Sequence, residues 1–202
     1  MKLIFIGPQG CGKGTQAKKV AEKFGLCHIS AGDLLRGVSG EIKERVDGIM
    51  NSGKMVPDEI IEELLLEKIS GEDCEKGFIL DGFPRTVKQA ESVKGKFDVN
   101  KVIEISISDE ESVRRISGRR GCKKCGAIYN VTTTPKPKVE GVCDECGGEL
   151  FQRDDDSEGA LRERLKIYHK ETEKILEMYD SVKIDGEQSI EKVLENILEV
   201  LN

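Results

Sequence analysis

Short apolar runs recur along the chain at Leu3 to Ile6, Gly77 to Leu80, Val102 to Ile105 and Val182 to Ile184. Runs this short suit buried strands better than helices. After Ile6 comes a glycine-rich turn, and then Ala17, Val20, Ala21 and Phe24 recur with helical spacing between Thr15 and Phe24. Strands alternating with helices predict an α/β fold, a parallel sheet with helices on both faces. Two stretches interrupt that rhythm. Residues 30–72 are patterned as helices throughout and predict a small cap carried over the edge of the sheet. Residues 121–152 turn to cysteine, glycine, proline and short β-like pieces, including Ile128 to Thr133, and predict a separate small module. The core is then expected in 1–29, 73–120 and 153–202. In the last of these, Leu161, Leu165, Tyr168, Ile175, Leu176 and Tyr179 mark one face of a long helix. Ile190, Val193, Leu194, Ile197, Leu198 and Leu201 mark a terminal one.

A chain of 202 residues can bury roughly 70% of the surface its unfolded form exposes, enough for one main domain with an inserted module. With 35% charged and 37% apolar residues it is of neither the disordered nor the membrane-embedded class. No apolar run approaches the roughly 20 residues of a bilayer span. The N-terminal run stops at Gly7, too short for a signal-peptide core. A net charge of −6 argues against broad attraction to nucleic acid or anionic lipid. Seven cysteines without a secretory signal read as reduced thiols and metal ligands, with the cytoplasm as the compartment.

Gly7-Pro8-Gln9-Gly10-Cys11-Gly12-Lys13-Gly14-Thr15 follows a strand and opens a helix. Glycines there let successive N–H groups face one anion, the helix N-terminus adds partial positive charge, and Lys13 adds a mobile full charge. Gly10, Cys11, Gly12, Lys13, Gly14 and Thr15 are therefore candidate contacts to a polyphosphate. Cys122, Cys125, Cys143 and Cys146 form a C-x2-C-x17-C-x2-C pattern. Four thiolates fill a tetrahedral zinc completely, so this site is expected to be structural, its excess negative charge partly offset by Lys123 and Lys124. Cys11, Cys27 and Cys74 lack partners at ligand spacing and read as ordinary residues. Arginines gather on both sides of the cysteine module, at Arg114, Arg115, Arg119 and Arg120 before it and Arg153, Arg162 and Arg164 after it. Arg114, Arg120 and Arg162 read as solvated faces. Asp155 and Asp156 stand ready to pair with the others.

Three runs carry a family resemblance: Gly12-Lys13-Gly14-Thr15-Gln16, Ser30-Ala31-Gly32-Asp33-Leu34-Leu35-Arg36, and Asp81-Gly82-Phe83-Pro84-Arg85-Thr86 with Gln89 beyond it. Together they resemble the adenylate kinases among the nucleoside monophosphate kinases. The likeness covers essentially the whole chain, since Lys183-Ile184-Asp185-Gly186 looks like the family's adenine-proximal loop. It implies ATP + AMP ⇌ 2 ADP with Mg²⁺, on a P-loop nucleotide kinase fold bearing an AMP cap and a zinc lid.

By that resemblance Lys13, Arg85, Arg119, Arg153 and Arg164 would carry the transfer, and Asp33 and Asp81 would orient magnesium-bound water. Arg115 and Arg119 would hold the ATP phosphates, with Ile128, Tyr129 and Gln188 near its base. AMP would be held by Ala31, Arg36, Lys54, Met55, Val56, Gly82, Phe83, Pro84, Arg85, Gln89, Arg153 and Arg164. Gln89 can both donate to and accept from an adenine edge. Ala31 departs from the threonine common in the family, which bears on one contact to AMP. ATP, AMP and ADP are the expected partners of a monomer that binds neither nucleic acid nor membrane. Two alternatives stand beside this reading. One is a sister kinase with a donor such as GTP; the other is a zinc-ribbon nucleic-acid binder with an ATPase core. The second wants stacking aromatics on a basic face, whereas this chain has no Trp and 4% aromatic residues.

Overall fold

The computed structural model of the protein describes residues 1–201. The chain begins β1 (Lys2–Ile6), α1 (Lys13–Phe24), β2 (Cys27–Ser30), α2 (Ala31–Gly37), α3 (Ile42–Asn51) and α4 (Asp58–Ile69). It continues with β3 (Phe78–Asp81), α5 (Val87–Lys96), β4 (Lys101–Ser106), α6 (Asp109–Gly118), β5 (Arg119–Cys122), β6 (Ile128–Asn130) and β7 (Leu150–Phe151). It closes with α7 (Glu158–Ile167), β8 (Ser181–Asp185) and α8 (Ile190–Leu201).

Five strands form a parallel sheet in the order β2-β3-β1-β4-β8. Both of its faces are covered, and the strands show it residue by residue. Along β1, Ile4 and Ile6 point into one core layer with Leu35, Val46, Leu65 and Val93, while Leu3 and Phe5 point into the other with Val20, Ala21, Val193 and Ile197. That alternation is the period-2 geometry of a strand buried on both sides. Between β2 and β3 the chain makes α2, α3 and α4, and β5 to β7 form a small antiparallel sheet with its own core of Cys122, Tyr129, Cys143 and Leu150.

The backbone and its cross-link depart from expectation at three places. β2 was not foreseen, and it is the edge strand that carries the chain into α2. The helix expected from Leu161 to Tyr179 is α-helical only to Ile167, then widens to a π turn over Tyr168–Thr172 and tightens to 3₁₀ over Glu173–Met178. Cys27 and Cys74 are not ordinary thiols: they form a disulfide, with Cα atoms 4.9 Å apart across a sequence separation of 47. The cause is the parallel pairing of β2 with β3. Cys27 stands opposite Phe78, so the turn that feeds β3 brings Cys74 back beside the start of β2.

Candidate active site

β1 ends at Ile6, and the chain curls through a glycine loop into α1. Gly12 caps that helix at φ +97, in the left-handed region where a Cβ is disfavoured, and no side chain bonds to the first turn. The N–H groups there thus remain directed at the loop. Lys13 folds over it, donating from Nζ to the carbonyls of Gly7 at 2.6 Å and Pro8 at 2.9 Å. A polyphosphate would exchange those neutral acceptors for charged ones. Arg115 backs the loop, its Nη1 reaching Gly10 O at 3.4 Å and its Nε bonded to Glu111 at 2.6 Å. Cys11 is buried beneath, and burial raises its thiol's pKa. Thr15 is exposed at the mouth.

Asp81 ends β3 next to this loop: a Cβ on Gly14 would stand 3.2 Å from its Oδ2. His28 of β2 lies across from it, Nε2 to Oδ2 3.3 Å. From the Asp81 turn the chain passes through Gly82, Phe83 and Pro84, with a cis bond before the proline, to Arg85. Arg85 Nε donates to Gly82 O at 2.8 Å, and its own carbonyl accepts from Thr172 Oγ1 at 2.8 Å. The π turn is what presents Thr172 here.

Arginines from four parts of the chain face one another in this space. Arg85, Arg164 and Arg36 are close enough to repel, as are Arg153, Arg36 and Arg119. Carboxylates interleave them. Asp156 takes the Arg119 guanidinium by both oxygens, one of them at 2.8 Å from Nε. Asp155 accepts from Arg164 Nη2 at 2.5 Å and lies 3.7 Å from Arg36 Nη1, which also places Arg36 against Asp33. Burial works to raise the Asp155 pKa, but the charge and hydrogen bond of Arg164, with the charges of Arg36 and Arg119, together outweigh it and hold the carboxyl below the usual range. At Asp33 burial is likewise the largest single effect, but the hydrogen bond and charge of Arg36, the Ser30 hydroxyl and the Arg153 charge together outweigh it and lower the pKa.

Within this cluster of Arg36, Arg85, Arg119, Arg153 and Arg164, only Arg85 and Arg153 have no ion-pair partner among the described residues. Burial, then repulsion from Arg164 for Arg85 and Arg36 for Arg153, pushes each pKa down to about 10. Both remain cationic at neutral pH, and both would gain most from an anion placed between them. Arg114 and Arg162 are exposed and paired within their own helices to Glu111 and Glu158, as expected of solvated faces. Arg120 turns to the carbonyls of Ser117 and Arg119.

On the cap side Ala31 and Val56 are buried, Met55 is half-buried and Lys54 is exposed. Gln89 is 1% exposed, and both ends of its carboxamide are engaged, with Arg85 N and with Asp58. On the lid side the expected pair splits. Ile128 is 38% exposed, whereas Tyr129 is buried in the lid core, its hydroxyl 3.6 Å from Cys143 Sγ and accepting from Asp144 N at 2.9 Å. Neighbours on a strand point to opposite faces, so the side chains of Ile128 and Tyr129 cannot both turn the same way, and the tyrosine ring packs into the core around Cys122 and Cys143. Gln188 lies beyond β8, its Nε2 bonded to Asp185 O at 3.1 Å.

The sulfurs of Cys122, Cys125, Cys143 and Cys146 lie within 4.8 Å of one another, with 3.5 Å between Cys122 and Cys146 and between Cys125 and Cys143. Tetrahedral zinc with Zn–S near 2.3 Å sets sulfurs about 3.8 Å apart, so the donor set fits that ion. Lys124 N donates to Cys122 Sγ, while Lys123 is paired instead with Glu149 at 2.8 Å. Sequence reasoning assigned no role to His28, Asp58 or Thr172. Each is a polar residue whose significance lies in a partner distant along the chain.

Residues 5–184 match the family model described as adenylate kinase. The adenylate kinase of Archaeoglobus fulgidus is 45% identical over 213 residues, covering 100% of this chain and 98% of the relative. That of Fervidobacterium nodosum is 44% identical over 214 residues, covering 100% and 97%. That of Carboxydothermus hydrogenoformans is 45% identical over 213 residues, covering 100% and 99%.

Proposed function

The chain belongs to the adenylate kinase family, and from that premise we propose that it moves the terminal phosphoryl group of ATP to AMP, reversibly, giving two ADP. The observation that carries the assignment of residues is the gathering of Arg36, Arg85, Arg119, Arg153 and Arg164 in one space, with Arg85 near Asp81, the carboxylate that stands beside Gly14 of the Lys13 loop. A phosphoryl group in flight is charge to be stabilised and aligned, with little covalent work for the protein.

In this reading the loop from Gly10 to Thr15 and Arg115 hold the ATP phosphates. Arg36 and Arg85 hold the AMP phosphate, and Arg119, Arg153 and Arg164 close around the transferred group. The AMP phosphate is already anionic, so no side chain need remove a proton from it. Asp33 and Asp81 are suited to hold the waters of Mg²⁺, which when bound supplies charge neutralisation between the donor phosphates. Gln89 reads the acceptor base, and Gln188 and Ile128 flank the donor base. The four-cysteine centre is proposed as a closed zinc staple that holds the lid in shape and takes no part in transfer.

Assay of the purified protein with ATP and each of AMP, CMP, UMP and GMP tests the assignment. ADP should form fastest with AMP; equal rates with all four, or none with AMP, would refute it.

A further inference from the structure

The carboxamide of Gln89 is committed at both ends before any base arrives. Oε1 accepts from the backbone N–H of Arg85 at 2.7 Å, and Nε2 donates to Asp58 Oδ1 at 2.7 Å. Neither partner can exchange roles, because a backbone N–H only donates and an ionised carboxylate only accepts. Asp58 is held in its ionised form: burial raises its pKa, but hydrogen bonds from Gln89 and Lys88 overcome that and keep it low. Lys88 Nζ lies 2.9 Å from the second carboxylate oxygen. Gln89 is thereby fixed in one of its two orientations.

We propose that Asp58, acting through Gln89, is the positioning residue that makes the acceptor site choose a 6-amino purine over a 6-oxo purine. The inference rests on the reading of Gln89 as the residue that meets the acceptor base. With one bond made at each end, Oε1 keeps a lone pair and Nε2 keeps an N–H. Adenine offers a 6-amino donor beside a ring-nitrogen acceptor, which matches the fixed orientation. Hypoxanthine offers a 6-oxo acceptor beside an N1–H donor, which requires the carboxamide reversed. Reversal would set Nε2 against the Arg85 N–H and Oε1 against the Asp58 carboxylate. Mismatches of this kind at a buried site cost roughly tenfold or more each in recognition.

Asp58 also opens α4, where an acidic residue favours the helix N-terminus. That role affects stability and leaves base selectivity alone. The test compares kcat/KM for inosine 5′-monophosphate and AMP, with ATP as donor, in the wild type, Asp58→Asn and Asp58→Ser. Asparagine keeps the shape and can turn either an oxygen or an amide to Gln89, and a serine hydroxyl can donate or accept. In both the inosine-to-AMP ratio should rise about tenfold, with KM for ATP unchanged. A ratio within about twofold of wild type, in variants that still phosphorylate AMP, overturns the proposal. Should both variants fail to fold, Lys88→Met decides, at a side chain 76% exposed. Loosening Asp58 should raise the ratio about threefold, and no rise overturns the proposal. Wild-type protein that does not phosphorylate AMP would instead refute the underlying reading of the site.

Discussion

Removing the Cys27–Cys74 bond is expected to lower the melting temperature by about 10 °C. The bond closes a loop with a sequence separation of 47, and that loop contains all of α2, α3 and α4. Its entropy of closure in the unfolded chain corresponds to about 4 kcal/mol. For a chain of this size each kcal/mol moves the midpoint by roughly 2–4 °C. Thiols counted in denaturant with a chelator should number five in oxidised protein and seven after a phosphine reductant, since five of the seven cysteines are free. Thermal unfolding of the two forms then gives the shift. Cys27→Ser/Cys74→Ser should melt with the reduced protein and ignore reductant. Seven thiols in protein never exposed to reductant, or coincident melting of forms with five and seven, would refute the reasoning.

Lys13→Ala and Arg85→Ala should each lower turnover by orders of magnitude with unchanged circular dichroism, because they alter charge and alignment; near-normal turnover in either removes its role. Asp155→Asn leaves Arg36 and Arg164 facing each other without their shared carboxylate and should destabilise the fold by about 3 kcal/mol, read from urea unfolding. Hydrogen bonds from Arg114, together with Arg115, lower Glu111 from 4.5 to about 2, so its contribution is complete above pH 4.5 and lost as pH falls toward 2. Glu111→Gln should flatten the stability profile in that window and lower stability by a constant amount at every pH above it, neutrality included. Refolding with chelator, or Cys143→Ser/Cys146→Ser, should lower the melting temperature yet leave activity at low temperature; inactivity at every temperature with normal nucleotide affinity would place the metal in the chemistry.

Much of this architecture is legible in residue order because the relevant signals are local. The glycine loop, the Asp81 turn and the cysteine knuckles each declare themselves within a few neighbours, and their strands are nearly all apolar. β2 escaped notice because Cys27, His28 and Ser30 surround a single strongly apolar residue, Ile29, so no run forms. The π turn escaped because Leu165 and Tyr168 keep a helical interval even where the backbone widens. The pairing of Cys27 with Cys74 follows from strand order in the sheet, a property that spacing does not encode. The different settings of Ile128 and Tyr129 are likewise not written in residue order: strand alternation decides which of two adjacent side chains faces outward, and the tyrosine packs with Cys122 and Cys143.

Asp155 stands between guanidiniums of different provenance, Arg36 from the cap and Arg164 from the helix that follows the lid. A ligand phosphate that draws one of them away changes what the other has left to hold. With the phosphate contacts proposed above, occupancy of one nucleotide site would alter the free energy of filling the other, and equilibrium would make that influence mutual. Whatever factor the monophosphate imposes on triphosphate affinity, the triphosphate imposes in return. On that assignment the two substrates would be coupled through a shared counter-ion as well as through the phosphoryl group that passes between them.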